Sequence, residues 1–170
     1  MKKSKILFLH GKEGTCQGRK VQYLKKLQKY DVCCEPYNTG GKGSAGRDSI
    51  PGCVETITQA IQTHKPDLLI GSSFGGGVLL KLLQTGAWTK PCIMLAGAGI
   101  RYGMEPTLPN DIPIILIHGT EDTLIPLDDS VQLTRSSALA KLIVIQDDHP
   151  LQALVKQTNI LEAAIDELLC

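Results

Sequence analysis

The stretch LLIGSSFGGGVLL, residues 68–80, places two serines and four glycines between two apolar runs. Residues 71–75 within it follow the pattern G-x-S-x-G, with Ser73 at the centre. A serine at that position stands on a sharp strand-to-helix turn that needs small neighbours and lifts the hydroxyl above the sheet. Gly71 and Gly75 are such neighbours. The stretch therefore predicts a strand, a tight turn that exposes Ser73, and a helix.

The rest of the chain repeats this alternation of strand and helix. Near-continuous apolar runs, typical of strands buried on both faces, occupy residues 5–10, 31–37, 67–72, 91–97, 112–119 and 141–146. Helix-period patterns occupy residues 17–30, 50–64, 74–85, 128–138 and 150–169. The alternation predicts an α/β fold, a three-layer α/β/α sandwich with a mainly parallel sheet of about six strands. Only the connection 97–111 lacks a helix pattern.

Composition narrows the class of protein. The chain of 170 residues suits one domain, and a net charge of +1 gives no electrostatic case for nucleic acid or an anionic membrane. The apolar run near the N-terminus is too short for a secretion signal and is interpreted as the first strand, and no run is long enough to span a membrane. The six cysteines lack metal-ligand spacing, so neither a metal nor a cofactor is expected. Free thiols in a reducing compartment, the cytoplasm, are predicted.

A serine nucleophile needs a histidine base, and four histidines are candidates. In a parallel sheet the reactive side chains belong to loops at the carboxyl ends of the strands. His64 precedes a strand and is placed at the opposite edge. His10 and His118 each end a strand in a His-Gly pair, where hydrogen bonding within the loop is the structural alternative, and His118 stays open as the second candidate for the base. His149 follows the last strand and precedes Pro150, which suits the first position of a helix, so His149 is the predicted base.

The base needs a carboxylate to hold its ring. Asp122 lies just past the strand 112–119, at the same edge of the sheet. Glu121, Asp147 and Asp148 compete for this role, but a residue adjacent to His149 in sequence usually cannot fold back to orient its ring. Asp122 is therefore the predicted acid, with the role of a turn carboxylate as its structural alternative.

The order serine, acid, base and four motifs resemble the α/β-hydrolase superfamily over nearly the whole chain. The motifs are HGKEG at 10–14, GSSFG at 71–75, HGTEDTLIP at 118–126 and DHP at 148–150. The chain is similar in particular to small esterase-like members without a lid. The resemblance implies catalytic Ser73, Asp122 and His149. It also implies an oxyanion hole formed by the backbone N–H groups of Phe74 and Lys12, with Gly11 as the alternative to Lys12.

Two departures from the family pattern shape the expected site. The two antiparallel leading strands of the family are expected to be absent, because the first predicted strand directly precedes HGKEG, and the connection 97–111 is too short for a helical lid. The resemblance thus implies a single α/β-hydrolase domain over residues 1–170, with an open site. Gly11, Tyr102 and Met104 are expected to line the substrate site. The apolar rim around Tyr102 and Met104 is expected to bind acyl chains or a second subunit, as in a homo-oligomer.

Three hypotheses follow for the function. The first is a serine hydrolase that cleaves carboxylic esters or thioesters of small molecules through an acyl-enzyme. The second is a non-catalytic binding protein on the same scaffold. The third is a nucleotide-binding domain. Residues 10–18 argue against it, because they lack the spacing G-x-G-x-x-G of a phosphate-binding turn. The glycine-rich segment 38–47 is interpreted as a surface loop, since it matches no phosphate-binding pattern.

Overall fold

The computed structural model describes residues 2–12, 14–37 and 50–170. Six parallel strands form one sheet in the order β2-β1-β3-β4-β5-β6. Their bounds are β1 Lys5–Leu9, β2 Asp31–Cys34, β3 Leu68–Ser72, β4 Cys92–Leu95, β5 Ile114–Gly119 and β6 Ala140–Ile145. The predicted parallel sheet of about six strands is therefore confirmed.

Helices cover both faces of the sheet, which confirms the three-layer sandwich. The helices are α1 Arg19–Lys26, α2 Ile50–His64, α3 Phe74–Gln84, α4 Leu127–Arg135, α5 Gln152–Lys156 and α6 Ile160–Leu169. Successive strand residues point to opposite faces. In β1, Leu7 and Leu9 thus belong to the core under α2, α3 and α4, whereas Ile6 and Phe8 belong to the core under α1, α5 and α6.

The last helical segment differs from the prediction of one helix over 150–169. It consists of α5 and α6, separated by residues 157–159. At this break the hydroxyl of Thr158 donates to the carbonyl of Leu154 at 2.8 Å and accepts from the N–H of Ile160 at 3.3 Å. A threonine hydroxyl can thereby replace helical hydrogen bonds. Pro150 is not the first helical residue, because Leu151, with φ of 53°, precedes the start of α5.

The prediction that all cysteines are free thiols is wrong. Cys16 and Cys34 form a disulfide, with their Cα atoms 5.5 Å apart. The sequence suggested no bond because the two residues come from different parts of the fold, the loop before α1 and the end of β2. The prediction of a cytoplasmic localisation rested on free thiols. Because disulfides persist mainly in oxidising environments, the cysteines no longer support that prediction.

Two further findings concern segments singled out in the sequence. The connection 97–111 contains a single turn of 3-10 helix, Ile100–Tyr102. The glycine-rich segment 38–47 lies outside the described residues. None of the helices formed by the described residues has the length and apolar character needed to cross a membrane.

Candidate active site

Ser73 occupies a strained turn between β3 and α3. Its φ and ψ are 53° and −114°, a conformation that L residues rarely adopt and that persists only where the surroundings impose it. The N–H of Ser73 donates to the carbonyl of Leu95 at 2.9 Å, and its own carbonyl accepts from Ala98 at 2.9 Å. A Cβ atom on Gly71 would lie 2.6 Å from the carbonyl oxygen of Gly75. The small neighbours predicted from the sequence are therefore required by close backbone contacts.

The structure brings the three residues of the predicted triad together. His149 Nε2 lies 2.9 Å from Ser73 Oγ, and His149 Nδ1 lies 2.7 Å from Asp122 Oδ2. A carboxylate only accepts hydrogen bonds, so Nδ1 carries a proton, and Nε2 is placed to accept a hydrogen bond from the serine hydroxyl. Ser73 is thus within hydrogen-bonding distance of His149, and the contact of the ring with Asp122 fixes its tautomer.

Asp122 is held as a buried carboxylate in the turn after β5. Its side chain is inaccessible to solvent, and its Oδ1 accepts from the backbone N–H groups of Leu124 at 2.9 Å and Ile125 at 2.8 Å. Burial alone would raise the pKa of Asp122. The hydrogen bonds from Ile125, His149 and Leu124 together outweigh burial and lower the pKa. Asp122 therefore stays ionised beside the imidazole.

The loop that carries His149 is fixed at several points. The buried carboxylate of Asp147 accepts from the N–H groups of Asp148 at 2.9 Å and Leu154 at 2.8 Å. The carbonyl of Asp147 accepts from the N–H of Glu121 at 3.0 Å, which joins the loop to the turn of the acid. Lys20 Nζ donates to the carbonyl of Pro150 at 2.7 Å. These side chains and backbone groups position the base. Of the three competitors for the acid role, none holds the His149 ring.

His118 supports the acid from the other side of the turn. It is fully buried, its Nε2 lies 3.0 Å from the carbonyl of Ile125 and 3.3 Å from Asp122 Oδ2, and its Nδ1 lies 2.7 Å from Ser130 Oγ. A neutral ring with the proton on Nε2 donates toward Ile125 and accepts from Ser130. His118 therefore acts within the loop, as expected from the sequence, but its contact with Asp122 was not foreseen.

His10 orders the loop that contains Lys12, one of the two predicted oxyanion donors. It stacks on Tyr37 with ring centroids 4.1 Å apart, and its Nδ1–H donates to the carbonyl of Gly11 at 2.8 Å. Burial lowers the pKa of His10, partly offset by that hydrogen bond, which favours the neutral ring. The Gly11 carbonyl belongs to the same peptide plane as the Lys12 N–H, and in a trans peptide the two point in opposite directions. His10 thus fixes the orientation of this N–H group.

A cavity of about 690 Å³ surrounds Ser73 and His149. Gly11, Lys12, Phe74 and Tyr102, all singled out from the sequence, line it. Met104 does not: the turn after residue 102 directs it inward, where it is partly buried against the core under α2 and α3. The Tyr102 ring stands edge-on to the Phe74 ring at 5.3 Å and is 44% exposed at the mouth. The expected apolar rim is therefore narrower than predicted.

Three cationic residues of the cavity wall were missed by the sequence analysis. Arg19 and Lys20 begin α1, and Arg101 lies in the 3-10 turn after β4. Burial lowers the pKa of Lys20 to about 8, although Asp147 and Asp148 act in the opposite direction. Their position in the sequence could have revealed them, because all three lie in segments that follow the carboxyl end of a strand, where ligands bind in a parallel sheet. Among the described residues, no group of acidic, histidine or cysteine side chains is arranged to hold a metal ion.

No family model and no curated protein matches the chain. Solved structures do match it. Est1E from Butyrivibrio proteoclasticus, solved with ferulic acid bound, has a TM-score of 0.79 at 17% identity, covering 99% of this chain and 89% of its own. The chain has the α/β-hydrolase fold. Two further α/β-hydrolase structures agree. Mouse alpha/beta hydrolase domain-containing protein 10 has a TM-score of 0.77 at 18% identity, covering 99% of this chain and 91% of its own. An alpha-beta serine hydrolase homologue from Coxiella burnetii has a TM-score of 0.74 at 16% identity, covering 97% and 85%.

Proposed function

We propose that this protein is a serine hydrolase that cleaves carboxylic esters or thioesters through an acyl-enzyme. The observation that carries the proposal is the continuous hydrogen-bonded chain from Ser73 Oγ through His149 to the buried Asp122. A serine hydroxyl is a weak nucleophile unless a base takes its proton, and this arrangement provides the base in the required tautomer. The α/β-hydrolase fold, which is shared with Est1E among others, adds support.

In the proposed first step, Ser73 Oγ attacks the acyl carbon while His149 Nε2 takes the serine proton. The tetrahedral intermediate collapses when the protonated His149 gives that proton to the leaving alcohol or thiol, which leaves the acyl group on Ser73. Water then enters and attacks the acyl carbon while His149 Nε2 takes its proton. His149 returns that proton to Ser73 Oγ as the bond between Oγ and the acyl carbon breaks, which releases the acid and restores the serine. Asp122 stabilises the imidazolium in both halves of the reaction without taking up the proton.

The proposed oxyanion hole consists of the backbone N–H groups of Phe74 and Lys12. Phe74 directly follows the nucleophile at the start of α3, and Lys12 follows the carbonyl that His10 holds. Loss of one such donor typically raises the activation barrier by about 3–4 kcal/mol. His10 is a positioning residue in this proposal, because it acts only through the Gly11–Lys12 peptide.

The site is proposed to serve small-molecule substrates without a lid, within a single domain over residues 1–170. The connection 97–111 contributes a 3-10 turn and Tyr102 to the cavity, which supports an open mouth. Such a mouth excludes water less well than a covered one. A choice between oxygen esters and thioesters requires substrates of both kinds, because the same residues serve both reactions.

The proposal is tested with a fluorophosphonate probe and peptide mass spectrometry. A single adduct on Ser73, absent from His149→Ala, is the expected result. In parallel, Ser73→Ala is expected to lower kcat on the best ester by about 10⁴–10⁶ while it leaves unfolding by urea nearly unchanged. Undiminished turnover by Ser73→Ala would eliminate the proposal, because the chemistry would then belong to other residues. Folded protein that neither reacts at Ser73 nor hydrolyses any ester would also eliminate it and would favour a binding protein.

A further inference from the structure

We propose that the substrate of this site is an anionic ester, which carries a carboxylate or phosphate group bound by the cations of the cavity wall. The inference rests on the proposed function, because it names the class of substrate for the same site. Besides Lys12, three cationic residues, Arg19, Lys20 and Arg101, line the cavity around Ser73. None of the described residues that line it is a carboxylate.

The cations approach Ser73 from two sides. Ser73 directly follows β3, which lies between β1 and β4 in the sheet. Arg19 and Lys20 belong to the helix that follows β1, and Arg101 belongs to the turn that follows β4. The cavity therefore has positive charge on both sides of the nucleophile. An anionic group on the acyl part or on the leaving group of an ester would meet a cation in either orientation.

These cations are ordered by neutral oxygens. Arg19 Nη1 donates to the Gln152 side-chain oxygen, and Arg101 Nη1 donates to the Leu124 carbonyl at 2.7 Å. Lys20 donates to the carbonyl of Pro150. In the described part of the chain, none of the three forms an ion pair with a carboxylate. Each charge is therefore oriented by the protein without direct contact to any carboxylate of the described residues, which suits the binding of an anion.

The neighbouring carboxylates do not cancel this charge inside the cavity. Asp147 and Asp148 act on Lys20, but neither lines the cavity, and the oxygens of Asp147 are engaged by backbone N–H groups. Asp122 lies behind His149 and is inaccessible to solvent. Burial makes Lys20 costly to keep charged, and a bound anion would offset that cost.

The cavity also has apolar surface between the cations. Tyr102 and Leu124 lie on the side of Arg101, and Val155 lies on the side of Arg19. A volume of about 690 Å³ is typical of sites for small organic molecules. The shape of the site thus fits an ester with a short apolar chain that ends in an anionic group.

Two pairs of esters test the inference and separate the two sources of charge. The first pair is the p-nitrophenyl monoester of adipic acid and its neutral adipamic counterpart, which differ by a carboxylate on the acyl side. The second pair is monobutyrylglycerol 3-phosphate and monobutyrylglycerol, which differ by a phosphate on the alcohol side. We expect kcat/KM for the anionic member of at least one pair to exceed that of its neutral partner about tenfold or more. The preference should decline as salt is added.

Variants identify the groups responsible. Arg101→Gln and Arg19→Gln each remove a cation from the cavity wall, and at least one of them should reduce the preference severalfold. Arg135→Gln removes the same charge from the exposed last turn of α4, outside the cavity lining, and should retain the preference. Hydrolysis that depends on Ser73 but shows no preference in either pair would overturn the inference and leave the hydrolase proposal standing. Equal losses on charged and neutral esters in both arginine variants would also overturn it, since the cations would then serve the transition state alone.

A binding measurement tests the inference in the absence of turnover. Adipate and the neutral adipamide are titrated into Ser73→Ala by calorimetry. Tighter binding of adipate, weakened in Arg101→Gln or Arg19→Gln, supports the inference even if no ester is hydrolysed. Equal binding of the two compounds, if no ester pair shows a preference either, overturns it.

Discussion

Alanine at Gly75 and alanine at Gly77 are predicted to change stability in opposite directions, although both residues lie in the first turns of α3. A Cβ atom on Gly75 would lie 2.1 Å from the carbonyl oxygen of Leu9 and 2.7 Å from that of His10. Ordinary van der Waals contact begins near 3.4 Å, so the two backbones would have to separate by more than an ångström. Neither obstacle is a flexible side chain, and the end of β1 is fixed between β2 and β3.

The magnitude follows from the kind of atom displaced. Overpacking against side chains typically costs about 1–3 kcal/mol, and backbone atoms of a buried strand yield less readily. We therefore expect Gly75→Ala to lower the free energy of unfolding by at least about 3 kcal/mol. At Gly77, by contrast, the nearest atom to an added Cβ is Ile50 Cδ1 at 3.4 Å, which is an ordinary contact. The higher helix propensity of alanine should then raise stability by about 0.5–1 kcal/mol.

Urea unfolding followed by tryptophan fluorescence provides the assay, because Trp88 is the only tryptophan and is buried. With a typical slope for a small protein, the midpoint should fall by about 1–2 M in Gly75→Ala. Ester turnover should fall in Gly75→Ala, since the displaced segment leads into the Gly11–Lys12 peptide, and should persist in Gly77→Ala. A Gly75→Ala protein as stable as the unaltered chain would refute the reasoning, because the close approach of α3 to β1 would then not be needed.

Three further predictions concern the acid, a buried lysine and the disulfide. Asp122→Asn should lower kcat by about 10⁴, because the amide no longer holds His149 in the required tautomer. It should also remove the contribution of ionised Asp122 to the free energy of unfolding, which is present above the ordinary carboxyl pKa and is lost as the pH falls through the lowered pKa of the folded state. Unchanged turnover would contradict the proposed role. At pH 8 Lys20 is about half protonated, so the binding of adipate should be coupled to the uptake of at most about half a proton, and Lys20→Met should take up none. Calorimetry in buffers of different ionisation enthalpy measures this uptake. Equal uptake in both proteins would contradict the assignment of Lys20 as an anion-binding group. Cys16 and Cys34 are 18 residues apart in sequence, and reduction of the bond between them should lower the free energy of unfolding, measured with urea, by about 3 kcal/mol. The variant with serine at both positions should not respond to reductant. An unshifted urea midpoint after reduction would contradict the prediction.

The sheet was predictable because its four central strands are almost wholly buried, and because the partly buried edge strands β2 and β6 also have apolar runs. The relative placement of Ser73, Asp122 and His149 was also predictable, since parallel strands align their carboxyl ends at one edge of the sheet. The roles of these residues stay predictions, because a geometry suited to catalysis is not itself a reaction.

Features that depend on distances between loops were not predictable. The disulfide needs the loop before α1 to reach the end of β2, and no spacing in the sequence reveals that. The cations of the cavity come from positions about 80 residues apart, and the net charge of +1 conceals their concentration in one place. The break between α5 and α6 was hidden because both pieces bury residues in the same core, so Leu154 and Leu161 read as one stripe.

The position of β6 at the edge of the sheet has a consequence for how the site forms and fails. β6 pairs with β5 alone, and the loop that follows it carries His149. Edge elements open locally at lower free energy than central strands. His149 can therefore leave Ser73 while the other five strands remain paired, so inactivation precedes global unfolding. The nucleophile thus requires only β3 and its neighbours β1 and β4 to be in place, whereas the base also requires β6 to be paired with β5.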